Sequence, residues 1–472
     1  MSTFSGLSMA LSSMIAQRQA LEVTGQNISN ANTRGYTRQR ADMAAVQALT
    51  APSMHSAGMN AGNGVRVSNI NRLGDAFLDA RLRTETSGAA FQAAQAKALN
   101  RLEQTLTEPA DTSVSAQLAT FWAGWQDVAN NPGDPAARNV LLGDAQALLS
   151  QISGGYRAVE TQWSQLRTET TALVDEVNTT AAAVAQLNEQ IRAISVSGDS
   201  PNELMDRRDQ LVTTLAGLVG ATARERDDGT VDVMVAGNAL VRGTSAKPIA
   251  VSGSMLMNEA VAEPPSGNQV RLVWAESTGT PLTPEGGTLA SHVSTLGPGG
   301  LLSGAAQAWN DLATSVHDTV NAVHVQGTGL DGTDGRTFFT AGPGPAATSL
   351  TLTSTDPNHV AAAAAGQGGL DGSIADAMSQ LGAAPGGPDS TWRAFVVDIG
   401  VRTRAAEQTS TVAQAGLATA QTLQMSAASV DLDEEAINML AYQRAYEGAA
   451  RVLTVMDQML DVLINRTGVV GR

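Results

Sequence analysis

The C-terminal stretch 429–466 reads SVDLDEEAINMLAYQRAYEGAARVLTVMDQMLDVLINR, and its apolar residues recur every seven positions. One series of this heptad repeat consists of Leu432, Met439, Tyr446, Leu453 and Leu460. The second series consists of Tyr442, Ala449, Met456 and Leu463, with Glu435 as the charged exception. The pattern predicts a long amphipathic helix with a coiled-coil seam.

A second apolar stripe lies near the N-terminus. Its members follow a similar spacing and are Leu7, Leu11, Met14, Leu21 and Ile28. The predicted helix ends near Asn30, where Gly35 and its polar neighbours favour a turn, and residues 36–72 are predicted to be extended. Because an isolated helix is marginal in water, the two terminal helices are expected to pair with each other or with neighbouring copies. Periodicity alone leaves an ordinary intramolecular pair in a monomer equally open.

Helical patterns also fill the interval 76–219. Helices are predicted over 76–107 and 113–130, and another begins at Pro135, which is capped by Asp134. Eleven positions over 159–194 follow alternating four- and three-residue steps, and nine of them are apolar, so one long helix is predicted there.

Two local signals modify this helical interval. Gly154 and Gly155 are expected to break or bend the start of the long helix. Ser200 and Glu203 have the spacing of a capping box, which predicts a further helix ending at Gly220.

Residues 221–275 change to the two-residue alternation of β-strands, and Asp228-Gly229 is a hairpin signal. Helix is predicted again over 301–325 and 391–428. The sequence therefore predicts a mainly α protein with a smaller β domain. Three parts are expected: a terminal coiled-coil domain (1–60 with 428–472), a long-helix bundle (61–221 with 288–427) and an inserted outer β domain (222–287).

Composition narrows the classes of function. The 472 residues include 29 Lys and Arg against 45 Asp and Glu, and this net charge of −16 argues against nucleic acid and anionic membranes as partners. The lack of cysteine removes disulfides and thiolate chemistry. No stretch approaches the ~20 apolar residues of a membrane span, and no cleavable signal peptide is predicted.

Three motifs resemble cofactor or metal sites, but each has a simpler explanation. The GxGxxG match at 327–332 follows a predicted helix rather than the strand that a dinucleotide loop requires. Asp331 and Asp334 lie in a sequence that breaks the ligand order of a calcium loop. His317 and His324 share a helix face without an HExxH motif. No catalytic, cofactor or metal site is predicted, and we expect the protein not to be an enzyme.

Two motifs carry a resemblance to a known family. TGQNISNANTRGYTR at 24–38 resembles the N-terminal signature of flagellar rod, hook and hook-associated proteins, and the stretch 429–466 is similar to their closing helix. The block 77–155, with FWAGWQDVANNPGDPAARNVLL, and DGTVDVMVAGNALV at 228–241 resemble the hook–filament junction proteins, the FlgK family of axial proteins.

The resemblance implies a structural role in joining the flexible hook to the rigid filament. It implies self-assembly into a ring or helical array, contacts with hook protein and the second junction protein, and an export chaperone at the C-terminal helix. It also implies type III export without a cleaved signal, an extracellular flagellar location, and terminal helices that are disordered before assembly. Our hypothesis is that both stripes bury their apolar area only on polymerisation. The expected assembly interface is Leu7, Leu11, Met14, Leu21, Ile28, Asn30, Gly35, Tyr36, Leu432, Met439, Tyr442, Tyr446, Leu453, Met456, Leu460 and Leu463.

Two alternatives remain at this point. Another axial protein, from the hook or rod, would share the terminal motifs, but the helical block 77–219 disfavours it because the resemblance gives those relatives mostly β outer domains. An exported enzyme on a flagellar scaffold would need a catalytic constellation within 222–390, and none is readable there.

Overall fold

The computed structural model describes residues 3–47, 62–262 and 267–466. Its N-terminal half is built from helices and one antiparallel hairpin: α1 (Thr3–Asn30), β1 (Gln39–Ala45), β2 (Val65–Arg72), α2 (Ala76–Leu106), α3 (Val114–Asn130), α4 (Pro135–Ser197) and α5 (Asn202–Val219).

Two small antiparallel sheets follow. The first has the strand order β3-β4-β5-β6 and the second has the order β7-β8-β9. Their elements are β3 (Thr222–Glu225), β4 (Val231–Val235), β5 (Asn238–Arg242), β6 (Ser245–Ala246), β7 (Ile249–Ser252), the short α6 (Met257–Ala260), β8 (Arg271–Trp274) and β9 (Ser277–Leu282).

The remaining chain returns to helix, with a loop-rich interval between two long elements. Its elements are α7 (Gly287–Leu296), α8 (Leu301–His324), β10 (Gly327–Thr328), β11 (Phe339–Ala341), α9 (Ala346–Ser349), β12 (Leu350–Leu352), β13 (Ala363–Ala364), α10 (Ser373–Ser379), α11 (Pro388–Ala428) and α12 (Leu432–Asp461). The predicted fold class, mainly α with a smaller β region, is confirmed.

The helix α4 is the central structural element of the molecule. The Asp134 carboxylate accepts a hydrogen bond from the Ala136 amide at 2.8 Å, which caps the helix before Pro135 as predicted. The expected break at Gly154 and Gly155 is wrong, because α4 continues through both for 63 residues, or about 95 Å. Gly155 instead lies against the ring of Trp309 on α8, so its missing side chain makes room for a large one.

Two hydrophobic cores lie along α4. One joins its N-terminal half to α3, α8 and α11 around Trp125, Trp163, Trp309 and Trp392. The other packs both sheets against α4 and α5, and the alternating residues Val231, Val233 and Val235 are buried in it. The capping box expected for α5 is wrong: Pro201 precedes the helix without a side-chain cap, and the Ser200 hydroxyl donates to Asn69 Oδ1.

Candidate assembly interface

The terminal helices α1 and α12 pack against each other along their length. Three contacts define their alignment: Gly6 lies against Met456, Tyr442 packs against the cluster that contains Ala20, and Asn27 bonds to Glu435. Residue numbers rise on one helix as they fall on the other, so the pair is antiparallel. Successive contacts are fourteen and then seven residues apart on both helices, so all three belong to one register.

On α1, small residues form most of the seam that faces α12. The buried residues of α1, which face α12 or the β1–β2 hairpin, are Gly6, Ala10, Ala16, Ala20, Val23, Thr24 and Asn27. Large side chains of α12 can approach closely over these positions, as Met456 does over Gly6. Small residues that recur mostly three or four positions apart were the sequence signal for this seam, and the larger residues beside it concealed it.

The predicted N-terminal stripe lies beside that seam rather than within it. Leu11 is 51% exposed, and Leu7, Met14, Leu21 and Ile28 are half-buried. The pairing of α1 with α12 therefore leaves much of this stripe uncovered.

The predicted C-terminal residues divide into two groups. Two of them, Leu432 and Leu463, are 52% and 51% exposed. The others are half-buried on the heptad face that carries the α1 contacts: Met439, Tyr442, Tyr446, Leu453, Met456 and Leu460. The expectation that these stripes are buried only on polymerisation is corrected accordingly, because α1 already covers part of this face within one chain.

A further set of exposed apolar residues of α12 lies outside the two heptad series and was missed in the heptad analysis. We define this outer stripe as Ile437, Leu440, Val452, Val455, Met459 and Val462, which are 69%, 49%, 44%, 47%, 49% and 46% exposed. Its C-terminal part borders a shallow groove of 480 Å³ that Leu463 also lines. Exposed apolar patches of this kind mark surfaces that contact another macromolecule.

The long helix α11 also presents an uncharged exposed face. Its buried side packs on α2, from Trp392 near Glu108 to Gln424 near Asp79. On the open side, ten exposed residues at three- and four-residue steps carry no charge: Ala394, Val397, Val401, Ala405, Gln408, Val412, Ala415, Thr419, Leu423 and Ser426.

A buried polar cluster lies where the terminal helices meet the body. The Asn27 side chain, 1% exposed, donates to the Gln39 carbonyl at 2.8 Å and to Glu435 at 3.2 Å, and accepts from the Gln39 amide and the Tyr36 hydroxyl. Arg38 Nε donates to Glu435 at 2.7 Å. Burial, together with nearby carboxylates, raises the pKa of Tyr36, so the phenol stays a hydrogen-bond donor.

The three turn residues that were predicted as interface contacts have partners within the chain. Tyr36 bonds to Asn27, and the Asn30 side chain donates to the Gln26 carbonyl at 3.0 Å. Gly35 has a φ of 78° and lies directly against the Gln210 side chain of α5, so a larger residue would be doubly unfavourable there. Their predicted role between copies is untested.

Ion pairs connect the hairpin to α5. Arg72 on β2 pairs with Asp206 at 3.0 Å and with Asp209 at 2.8 Å. Burial raises the pKa of Asp206, while Arg72 and the Thr37 amide oppose that rise. This network holds the hairpin, and through it α1, on the body.

Among the described residues, no three His, Asp or Glu side chains are grouped as a metal site would require. The same residues include no helix with the length and apolar character needed to cross a bilayer.

Three family models match the chain. The helical domain of flagellar hook-associated protein FlgK matches residues 99–339. The C-terminal model of the flagellar basal body rod FlgEFG proteins matches 424–466, and the flagella basal body rod protein model matches 7–37.

Individual relatives agree with these models. Flagellar hook-associated protein 1 of Bacillus subtilis is 29% identical over the full length of both chains. Its counterpart in Salmonella typhimurium is 32% identical over 71% of this chain and 59% of its own length. The solved structure of the flagellar hook junction protein FlgK from Burkholderia pseudomallei has a similar fold, with a TM-score of 0.64 and 16% identity over 74% of this chain and all of that one.

Proposed function

The chain belongs to the FlgK family of flagellar hook-associated proteins, and from that membership we propose that it is the subunit that joins hook to filament. Its general role, as a structural component of the flagellar axis, follows from the family. The more specific role requires two different neighbours, a hook that bends and a filament that is stiff. It also requires contacts between copies that form only at the growing end.

The observation that carries the proposal is the uncovered apolar surface of the terminal helix pair. The outer stripe of α12 and the N-terminal stripe of α1 are both exposed or half-buried after the two helices have paired. Full burial of one such side chain contributes roughly 1.5–3 kcal/mol. Association costs on the order of 4–15 kcal/mol, so one pairwise contact is weak and an array with several neighbours is favourable.

The open face of α11 extends this surface along the body. Its ten uncharged positions offer neighbouring copies a strip of contact whose centre carries no charge, with Asp398 and Arg404 at its edges. We propose that copies of the chain pack along α11 as well as through the terminal helices. Hook protein, the second junction protein and an export chaperone at α12 complete the proposed partner set, as the resemblance implies.

We propose a separate role in the junction for each of the three predicted parts. The terminal helices (1–60 with 428–472) would carry assembly, the long-helix bundle (61–221 with 288–427) would transmit force, and the β region (222–287) would face outward. Membership of a structural family supports a protein that is not an enzyme. Peptidase activity of the purified chain with added metals would support the alternative.

Deletion of the gene followed by electron microscopy tests the role. We expect hooks without filaments and flagellin lost to the medium, because the filament then has no junction subunits on which to assemble. Complementation then tests the surface: Val455→Asp with Met459→Asp should fail to restore filaments. The control is Gln443→Asp, which adds a charge at an exposed position of the same helix, about a third of a turn or more around the helix from Val455 and Met459. This variant should restore filaments. Normal filaments in the deletion strain would refute the proposal.

A further inference from the structure

We infer that Asn27, Arg38 and Glu435 form a register site that fixes the alignment of α12 against α1. The inference concerns folding within one chain and does not depend on the junction role. It begins from an inconsistency in the heptad pattern: the second series of α12 is apolar at Tyr442 and Met456, but the same position holds a carboxylate at Glu435.

Glu435 is buried to 2% exposure, although it is charged. Its Oε1 atom lies 2.7 Å from Arg38 Nε, and its Oε2 atom accepts from Asn27 Nδ2 at 3.2 Å. A buried carboxylate is tolerated only with such partners, because an unpaired one has lost its hydration without compensation.

The pocket that receives Glu435 is built before α12 is considered. Asn27 is held by the Tyr36 hydroxyl and by both backbone groups of Gln39, so one Nδ2 hydrogen remains for the carboxylate. The Arg38 amide donates to the Ala428 carbonyl at 2.9 Å, which places the guanidinium beside the start of α12. The pocket therefore has a fixed position on the body.

The rest of the seam discriminates poorly between registers. On α1 it repeats small residues such as Ala16 and Ala20, so a slip of one heptad, about 10.5 Å, would still place small residues opposite large ones. In one direction this slip would place Glu435 opposite Ala20, and in the other it would place Glu435 beyond the end of α1 at Asn30, so either slip would separate its carboxylate from Asn27. A single buried polar residue is known to select register in this way at a cost in stability.

Register also determines which surface the pair presents. A slip would move the outer stripe of α12 by two turns relative to the N-terminal stripe of α1. The register site would therefore keep the two uncovered stripes in one fixed arrangement.

Cysteine cross-linking of the full chain tests the inference, and the lack of native cysteine makes the reaction specific. The in-register pair is Gly6→Cys with Met456→Cys, and the shifted pairs are Gly6→Cys with Ala449→Cys and Gly6→Cys with Leu463→Cys. With Glu435 present, we expect a short bismaleimide to favour the in-register product about tenfold over either shifted product.

In the Glu435→Leu background, which completes the apolar repeat, that preference should fall to about threefold or less while helix content by circular dichroism is kept. If Glu435→Leu loses helix, Glu435→Gln decides in its place, because it keeps the shape and removes the charge. The matched control is Glu434→Gln, which removes the exposed partner of Arg38 and should leave the preference unchanged. An unchanged preference in both Glu435 variants, an equal loss in Glu434→Gln, or no preference in the parent chain would overturn the inference.

Discussion

At the scale of single residues, Gly154 and Gly155 are neighbours in α4 with different surroundings. A Cβ on Gly155 would lie 2.1 Å from Trp309 Cζ2, whereas nothing lies within 4 Å of a Cβ on Gly154. Trp309 is itself held against Trp392, with ring centroids 4.3 Å apart, so it has little room to move.

We therefore predict opposite effects of the same substitution. Gly155→Ala should lower the free energy of unfolding by about 1–3 kcal/mol through overpacking. Gly154→Ala should raise it by roughly 0.5–1 kcal/mol, because alanine favours helix more than glycine. Urea unfolding of the two variants beside the parent checks this, and effects of the same sign would contradict the packing described for Trp309.

Two buried histidines give the protein a pH-dependent stability. His324 Nδ1 lies 2.7 Å from the Arg336 carbonyl, and its Nε2 accepts from the Ala361 amide at 3.0 Å, so both ring nitrogens are used in the neutral form. His292 contacts the Thr170 hydroxyl at 3.2 Å. Burial lowers the pKa of each imidazole to about 4.

These pKa values predict a loss of stability in mild acid. Between the unfolded pKa of about 6.5 and the folded value, the unfolded chain binds more protons, so stability is fully present above pH 6.5 and falls toward pH 4. At pH 5 each histidine should contribute about 2 kcal/mol less than at pH 7.5. His324→Gln should reduce the difference in unfolding free energy between the two pH values by that amount.

At the scale of elements, the α1–α12 pair is covered by few other elements. The two helices contact each other along one seam, and much of the surface that faces away from this seam is exposed. Local opening should therefore cost less here than in α4, which is covered by several elements. Limited trypsin digestion of the purified chain should cut first near Arg18, Arg444 and Arg451 and so remove roughly 20 to 30 residues from each end. Cleavage within α4 before these sites, detected by mass spectrometry, would contradict this order.

The long elements were predictable from sequence because each carries a strong local signal. Asp134-Pro135 marked the start of α4, and the seam from Val159 onward marked its continuation. The surfaces were harder to predict from the sequence. The pairing face of α1 consists mostly of small residues, whereas the N-terminal stripe with Leu11 had the stronger hydrophobic pattern. The helix α7 was missed because Gly287 and its neighbours have no cap signal, and its helix depends on packing against α2 and α5.

The interface residues show a second reason why contacts could not be predicted from the sequence. Tyr36 and Gly35 stood out as motif residues, but a motif does not state whether its contacts lie within one chain or between copies. The partners of Glu435 are residues 27 and 38, about 400 positions away, and no local pattern indicates such a pairing.

At the scale of the whole molecule, the protein is elongated. Its accessible surface is 24308 Å², whereas a compact chain of 48.6 kDa would expose about 17,000 Å². In small-angle X-ray scattering we expect a radius of gyration well above the ~23 Å of a compact chain of this length. The maximum dimension should be at least ~95 Å, set by α4. A compact profile would show that the helices fold back on one another in solution.

The antiparallel pairing of α1 and α12 has a practical consequence for anyone who labels this protein. Gly6 lies against Met456, so a fluorescent or affinity tag attached near the described end of either helix would lie close to the other helix and to the proposed contact surface. The β4–β5 turn at Ala236-Gly237 is exposed and belongs to the small sheets, which makes it the better point of insertion.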